Sequence, residues 1–83
     1  MEYRDGDRQV AVCNVDGVIH AVDGYCPHAG GPLGQGALHG KMIVCPFHCW
    51  EFDCITGECD FNPRIRIDRY PVRIEGDEIL VDL

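Results

Sequence analysis

Apolar and polar positions alternate in two short runs near the start of the chain. Residues 8–15 place Val10 and Val12 on one face, and residues 18–22 form a second, mostly apolar run. Asp16-Gly17 lies between the two runs and is a strong signal for a two-residue hairpin turn. The pattern therefore predicts an opening β-hairpin.

Further short apolar runs follow, separated by turn signals such as Thr56-Gly57 and Gly76-Asp77. The predicted strands are 42–45, 51–54, 58–61, 69–74 and 78–81, with the pair 51–54 and 58–61 forming a hairpin. No segment shows a convincing helical period of 3.6 residues. Short strands with turns between them predict an all-β fold, a small sandwich or barrel.

A segment rich in glycine and proline, residues 26–37, interrupts this pattern and contains no Lys, Arg, Asp or Glu. Such a composition excludes a helix and predicts a loop with special backbone geometry. The loop begins with Cys26-Pro27-His28, which we call the first clamp. Cys45-Pro46-Phe47-His48, the second clamp, directly follows a predicted strand. Both clamps fall between the first hairpin and the last.

Length and charge narrow the range of functions. Eighty-three residues with a net charge of −7 predict one small, acidic, soluble domain of residues 1–83. The acidity argues against a nucleic-acid partner and suits a basic protein partner. There is no apolar run of membrane-spanning length and no signal-peptide pattern, so a cytoplasmic location is expected. In that compartment, cysteines in a spaced pattern bind metal more often than they form disulfides.

Two cysteines and two histidines in two clamps indicate a metal site. One reading is a mononuclear zinc site that only scaffolds a protein contact. Structural zinc clamps usually pair like with like, whereas each clamp here is mixed. Mixed clamps suit a two-iron cluster in which one iron takes both cysteines and the other takes both histidines.

The two clamps and the residues around them resemble the Rieske iron–sulfur signature. Residues 26–34 (CPHAGGPLG) and 45–53 (CPFHCWEFD) are similar to Rieske-type ferredoxins in particular. The resemblance implies a small all-β base with an inserted cluster-binding subdomain, roughly residues 24–62. It implies a [2Fe-2S] cluster with Cys26 and Cys45 on an inner iron.

The same resemblance assigns the remaining roles. It implies that His28 and His48 bind an outer, solvent-facing iron, and that Pro63 belongs to a third loop covering the cluster. The implied function is electron transfer from a flavoprotein reductase to a terminal oxygenase, with no catalysis by the chain itself. The alternatives are the small subunit of an assimilatory nitrite reductase, a domain of a larger oxygenase, and the zinc module.

The residues around the clamps bear on the cluster's potential. The resemblance implies that respiratory Rieske proteins have an extra disulfide and hydroxyl donors near the cluster. At the corresponding positions, this chain has Gly31, Phe47, Trp50 and Phe52. None of them supplies a disulfide or a hydroxyl group. We therefore expect a potential near the bottom of the Rieske range of about −150 to +300 mV. We also expect little dependence of that potential on pH near neutrality.

The other cysteines and histidines are assigned structural places. Cys13 is expected to be a small buried apolar residue. Cys54 and Cys59 are expected to face each other across a hairpin as free thiols, with a cross-strand disulfide as the alternative. Cys49 stands where the family usually has glycine, and its thiol is expected near the cluster. His20 and His39 are expected to be ordinary strand and turn residues, and Trp50 a packed core aromatic.

Overall fold

The computed structural model describes residues 1–27, 30–47 and 49–83 of the chain. The strands are β1 (Glu2–Asp5), β2 (Arg8–Val15), β3 (Val18–Asp23), β4 (Leu38–His39), β5 (Met42–Val44), β6 (Glu51–Asp53), β7 (Arg69–Tyr70), β8 (Val72–Glu75) and β9 (Glu78–Val81). The described ranges contain a 3₁₀ turn at Leu33–Gln35 and no α-helix. The predicted all-β fold is confirmed. None of the helical turns in these ranges has the length or apolarity to cross a bilayer.

Four antiparallel strands in the order β1-β2-β3-β7 form what we call the base sheet. The opening hairpin, β2 with β3, is confirmed with the predicted turn, where Asp16 and Gly17 both have positive φ. The Asn14 side-chain oxygen accepts the N–H of Gly17 (2.9 Å). The turn chemistry therefore sets the register of the hairpin.

Strand β1 was not predicted, because residues 2–5 are polar and show no apolar alternation. It forms by pairing with the edge of β2, with Tyr3 opposite Val10. The N-terminal ammonium donates to the carbonyl of Val12 (3.0 Å), and the N–H of Val12 donates to the carbonyl of Met1 (2.7 Å). Main-chain hydrogen bonds, rather than side-chain burial, hold this strand in place.

Strands β4, β5 and β6 form a second antiparallel sheet, which we call the clamp sheet. The predicted return strand at 58–61 is wrong, because only isolated bridges form there. Asp53 tightens the turn after β6 by accepting the N–H groups of Ile55 (2.7 Å) and Thr56 (3.2 Å). The result pairs Phe52, and not Cys54, with Cys59.

A disulfide joins Cys13 on β2 to Cys54 directly after β6, and Cys59 is a buried free thiol. The expected burial of Cys13 and the expected free thiol of Cys59 are confirmed. The expectation of a free Cys54 that faces Cys59 is wrong. The physical reason is that β2 is buried on both faces, with Val10 and Val12 on one side and Cys13 on the other. Because β2 is covered on both sides, the face that carries Cys13 packs against the clamp sheet, where Cys54 lies.

The main core fills the space between these sheets. Its fully buried members include Val22 from the base sheet, Leu33 from the 3₁₀ turn, and Ile43 and Phe52 from the clamp sheet. The last hairpin, β8 with β9, is confirmed. The single strand predicted at 69–74 is wrong, because its start is β7 of the base sheet and its end is β8 of a separate two-stranded sheet. Pro71 separates β8 from β7, since proline cannot donate to a strand ladder.

Candidate metal centre

The first clamp directly follows the base sheet. Cys26 lies three residues after the end of β3, and its N–H donates to the carbonyl of Gly31 (3.0 Å). The N–H of Gly30 donates back to the carbonyl of Cys26 (2.7 Å), and Gly30 has a φ of +67°. The N–H of Leu33 then donates to the carbonyl of Gly24 (2.8 Å). These hydrogen bonds hold the end of the loop next to the end of β3, where the loop begins.

The second clamp directly follows the clamp sheet. Cys45 comes immediately after β5, and its N–H donates to the carbonyl of Trp50 (2.7 Å), which closes the loop before β6 begins. The N–H of Val44 donates to the carbonyl of Ala37 (2.9 Å). The end of the glycine-rich loop and the start of the second clamp are therefore tied together.

The structure brings the two predicted cysteine ligands together. Cys26 and Cys45 are both fully buried, and their side chains lie close enough to interact. Gly31 leaves room for this approach, because a Cβ atom at that position would lie 2.7 Å from the sulfur of Cys45. The same Cβ would lie 3.2 Å from the ring of Phe47.

The surroundings of Cys45 oppose ionisation of its thiol. Burial raises the pKa of Cys45, the N–H of Phe47 acts in the opposite direction, and the neighbouring Cys26 raises it further. A metal cation reverses this balance, since a coordinating thiol is deprotonated by the charge of the ion. Two adjacent, buried sulfurs of this kind suit a metal better than they suit nucleophilic chemistry.

The two predicted histidine ligands, His28 and His48, lie outside the described residues. Within the described ranges, no three potential ligands form a metal-binding group. His20 is half-buried on β3 and His39 is exposed on β4, as expected of ordinary residues. Of the four predicted ligands, the structure therefore describes two, the buried cysteines Cys26 and Cys45.

Cys49 has a φ of +59° and is exposed. A non-glycine residue rarely adopts this left-handed conformation, which costs about 1–2 kcal/mol. The backbone at this position therefore has the geometry that favours glycine, in agreement with the departure seen in the sequence. A negative charge at Cys49 acts to raise the pKa of Cys45.

Aromatic side chains surround the two clamps. Trp50 packs edge-on against Phe61, with ring centroids 4.5 Å apart, and also contacts the main core, as expected. Phe47 and Phe61 are 50% and 62% exposed. Tyr25 was missed in the sequence, although it directly precedes Cys26. Its ring lies within about 3.4 Å of where a Gly30 side chain would begin.

A contact from the N-terminus to the glycine-rich loop was also missed. Gly34 lies so close to Glu2 of β1 that a Cβ atom at Gly34 would be 2.7 Å from the Glu2 Cα. The amide of Gln35 donates to the carboxylate of Glu2 (3.3 Å). The glycine at position 34 is the signal in the sequence, because a glycine in a loop often marks close backbone approach.

Comparison with known proteins agrees with this geometry. The profile of the Rieske [2Fe-2S] domain matches residues 2–71. The ferredoxin component of a naphthalene 1,2-dioxygenase system from Pseudomonas aeruginosa is 38% identical over 77 residues, which are 92% of this chain and 74% of that protein.

Two solved structures are also similar. A ferredoxin of Sphingomonas yanoikuyae B1 matches with a TM-score of 0.85 and 38% identity, covering 98% of this chain and 80% of that one. The complex of reduced oxygenase and oxidised ferredoxin in carbazole 1,9a-dioxygenase matches with a TM-score of 0.88 and 28% identity, covering 99% and 86%. The buried cysteine pair, the glycine that accommodates it and these matches lead to one conclusion: the chain belongs to the family of Rieske [2Fe-2S] domains.

Proposed function

We propose that this protein is a one-electron carrier that takes an electron from a flavoprotein reductase and passes it to a terminal oxygenase. The observation that carries the proposal is the buried Cys26–Cys45 pair, packed against Gly31, in a Rieske fold. Relatives named as ferredoxin components of dioxygenase systems support the same role. In this role the chain has no substrate of its own and is not an enzyme by itself.

The residues present fit a [2Fe-2S] cluster. Cys26 and Cys45 are adjacent and buried, and a side chain at Gly31 would collide with the sulfur of Cys45. This arrangement fits a bulky metal–sulfide group better than a single zinc ion with a mixed donor set. We propose that Cys26, His28, Cys45 and His48 hold the cluster, within a subdomain of roughly residues 24–62. When bound, the cluster supplies one reversible electron.

The chain's own residues provide insulation and a contact surface. Leu33, Phe52 and the cysteine backbones exclude water from the sulfur side of the site, because all are fully buried. The exposed rings of Phe47 and Phe61 offer apolar area at the surface near the clamps. We propose that an oxygenase docks there, as the similarity to the carbazole 1,9a-dioxygenase ferredoxin complex supports. The reductase partner and a cytoplasmic location are part of the same proposal.

The environment of the sulfurs favours a low potential. Gly31 contacts Cys45 and Phe47, and Phe52 is fully buried, so these positions offer the cluster neither a hydroxyl donor nor a disulfide. Without such donors, the more negative reduced cluster is less stabilised. The net charge of −7 acts in the same direction.

Potentiometric titration of the purified protein tests this function. We expect one reversible one-electron couple near the low end of the Rieske range, about −150 mV. A midpoint well above zero would contradict the low-potential assignment. A protein that takes up no electron reversibly would contradict electron transfer altogether.

A further inference from the structure

We propose that the Cys13–Cys54 disulfide is a redox-sensitive lock that an anionic low-molecular-weight thiol opens at Cys54. The bond joins β2 of the base sheet to the residue directly after β6 of the clamp sheet, 41 positions away in the chain. The proposal does not depend on the electron-transfer partners.

The lock controls the relation between the two clamps. Cys26 follows the base sheet and Cys45 follows the clamp sheet, so the two sulfurs stay adjacent only while the sheets keep their positions. Among the described residues, this disulfide is the covalent side-chain bond between the two sheets that does not pass through the proposed metal site, and both of its cysteines are 1% exposed. Opening it therefore loosens the support of the metal site without touching a ligand.

A cavity of about 220 Å³ leads to one half of this bond. It lies between the base sheet and the last hairpin, and Cys54 lines it together with His20 and Arg69. The guanidinium of Arg69 donates to the carbonyl of Ile55 (2.5 Å), the residue next to Cys54. A positive charge held at this place attracts an anionic thiol to the sulfur of Cys54.

The chemistry is thiol–disulfide exchange. The incoming thiolate attacks the Cys54 sulfur, a mixed disulfide forms, and the Sγ–Sγ bond breaks with Cys13 leaving as a thiolate. His20 is the cross-strand partner of Cys13 and lines the same cavity, so its imidazole is placed to supply a proton to that thiolate. A second small thiolate then attacks the small-thiol sulfur of the mixed disulfide, and the bond to Cys54 breaks with Cys54 leaving as a thiolate. The protein gains two electrons, and two small thiols are oxidised to one disulfide.

The test exposes the cluster-loaded protein to reduced glutathione, quenches with acid, and alkylates all free thiols under denaturing conditions. Without glutathione, we expect Cys13 and Cys54 to remain unlabelled while the other cysteines are labelled. With glutathione, we expect two additional labels and a transient glutathione adduct on Cys54. Labelling of Cys13 and Cys54 before any thiol is added would overturn the proposal.

Thermal unfolding measures the consequence of opening. Glutathione is expected to lower the unfolding temperature of the wild-type protein by about 10–20 °C. A Cys59→Ala variant, which removes a buried thiol outside the lock, should respond to glutathione as the wild type does. A Cys13→Ala/Cys54→Ala variant should no longer respond. An unchanged wild-type unfolding temperature after full reduction would overturn the lock.

The role of the cavity has its own control. In an Arg69→Gln variant, the rate of opening by glutathione relative to neutral 2-mercaptoethanol should fall about two- to fivefold. The ratio cancels any general loosening of the fold, since loosening speeds both reactions. An unchanged ratio would contradict attack through the Arg69 side.

Discussion

At Gly31, the absence of a side chain determines whether the two clamps can approach each other. A methyl group there would lie 2.7 Å from the sulfur of Cys45, which is closer than any ordinary contact. We expect Gly31→Ala to move Cys45 and to lower the iron content of the purified protein severalfold. Iron and sulfide analysis measures the loss.

Gly40→Ala is the matched control. Gly40 has a φ of +61°, but no atom lies within 4 Å of where its Cβ would be. The variant should lose about 1 kcal/mol of stability from backbone strain and keep its iron. Equal iron loss in both variants would show that any glycine replacement has this effect.

Cys49 offers the opposite change. Its φ of +59° is strained for cysteine, so Cys49→Gly should raise the free energy of unfolding by about 1 kcal/mol, or about 4–8 °C. Thermal melts followed by circular dichroism and by cluster absorbance measure the gain. Cys49→Ala keeps the strain and should show no such gain. Loss of the cluster in Cys49→Gly would instead mean that the thiol is a ligand.

The sequence predicts the positions of some cysteines in the fold better than those of others. The matching contexts of Cys26 and Cys45 predict that they meet, since each opens a loop shortly after a strand. The bond between Cys13 and Cys54 was not predictable, because it depends on how two sheets stack rather than on local spacing. The hairpin expectation for Cys54 and Cys59 failed because the side chain of Asp53 reorganises the turn.

Among the elements, the turn after β6 depends on Asp53. Burial alone would raise its pKa, but the N–H of Ile55, the ammonium of Lys41 (3.1 Å) and the N–H of Thr56 together lower it. A lowered pKa means that the carboxylate contributes stability above the unfolded pKa of 3.8, and that this contribution is lost as the pH falls through the folded pKa.

Asp53→Asn should therefore cost about 1–2 kcal/mol at neutral pH, since a charged hydrogen-bond acceptor is lost. Urea unfolding of both proteins should show a difference that is constant above about pH 5 and narrows below about pH 4. A difference that grows as the pH falls would contradict a lowered pKa.

Two of the three turn signals in this chain predict their hairpins, and the third, Thr56-Gly57, does not. The hairpins at Asp16-Gly17 and Gly76-Asp77 form as predicted, since both turns take positive φ at glycine. β1 escaped prediction because an edge strand can form through main-chain pairing alone. The strand predicted at 58–61 is replaced by isolated bridges, because the side chain of Asp53 tightens the turn after β6.

For the molecule as a whole, the net charge and the absence of a hydroxyl group at two positions near the clamps predict how the midpoint potential depends on pH. With no hydroxyl at Phe47 or Phe52 and a net charge of −7, electron density on the proposed cluster would stay high, and its proposed ligands His28 and His48 would be weakly acidified. The midpoint potential should therefore change little between about pH 6 and 8. Protein-film voltammetry over that range measures it, and a clear negative slope would contradict the expectation.

The most direct test of the central claim is analysis of iron, zinc and acid-labile sulfide in the purified protein, with electron paramagnetic resonance of the reduced form. We expect two irons and two sulfides per chain and a signal from the reduced cluster, lost together in a Cys45→Ser variant. A colourless protein with one zinc, no sulfide and no such signal would contradict the Rieske assignment of the Cys26–Cys45 site.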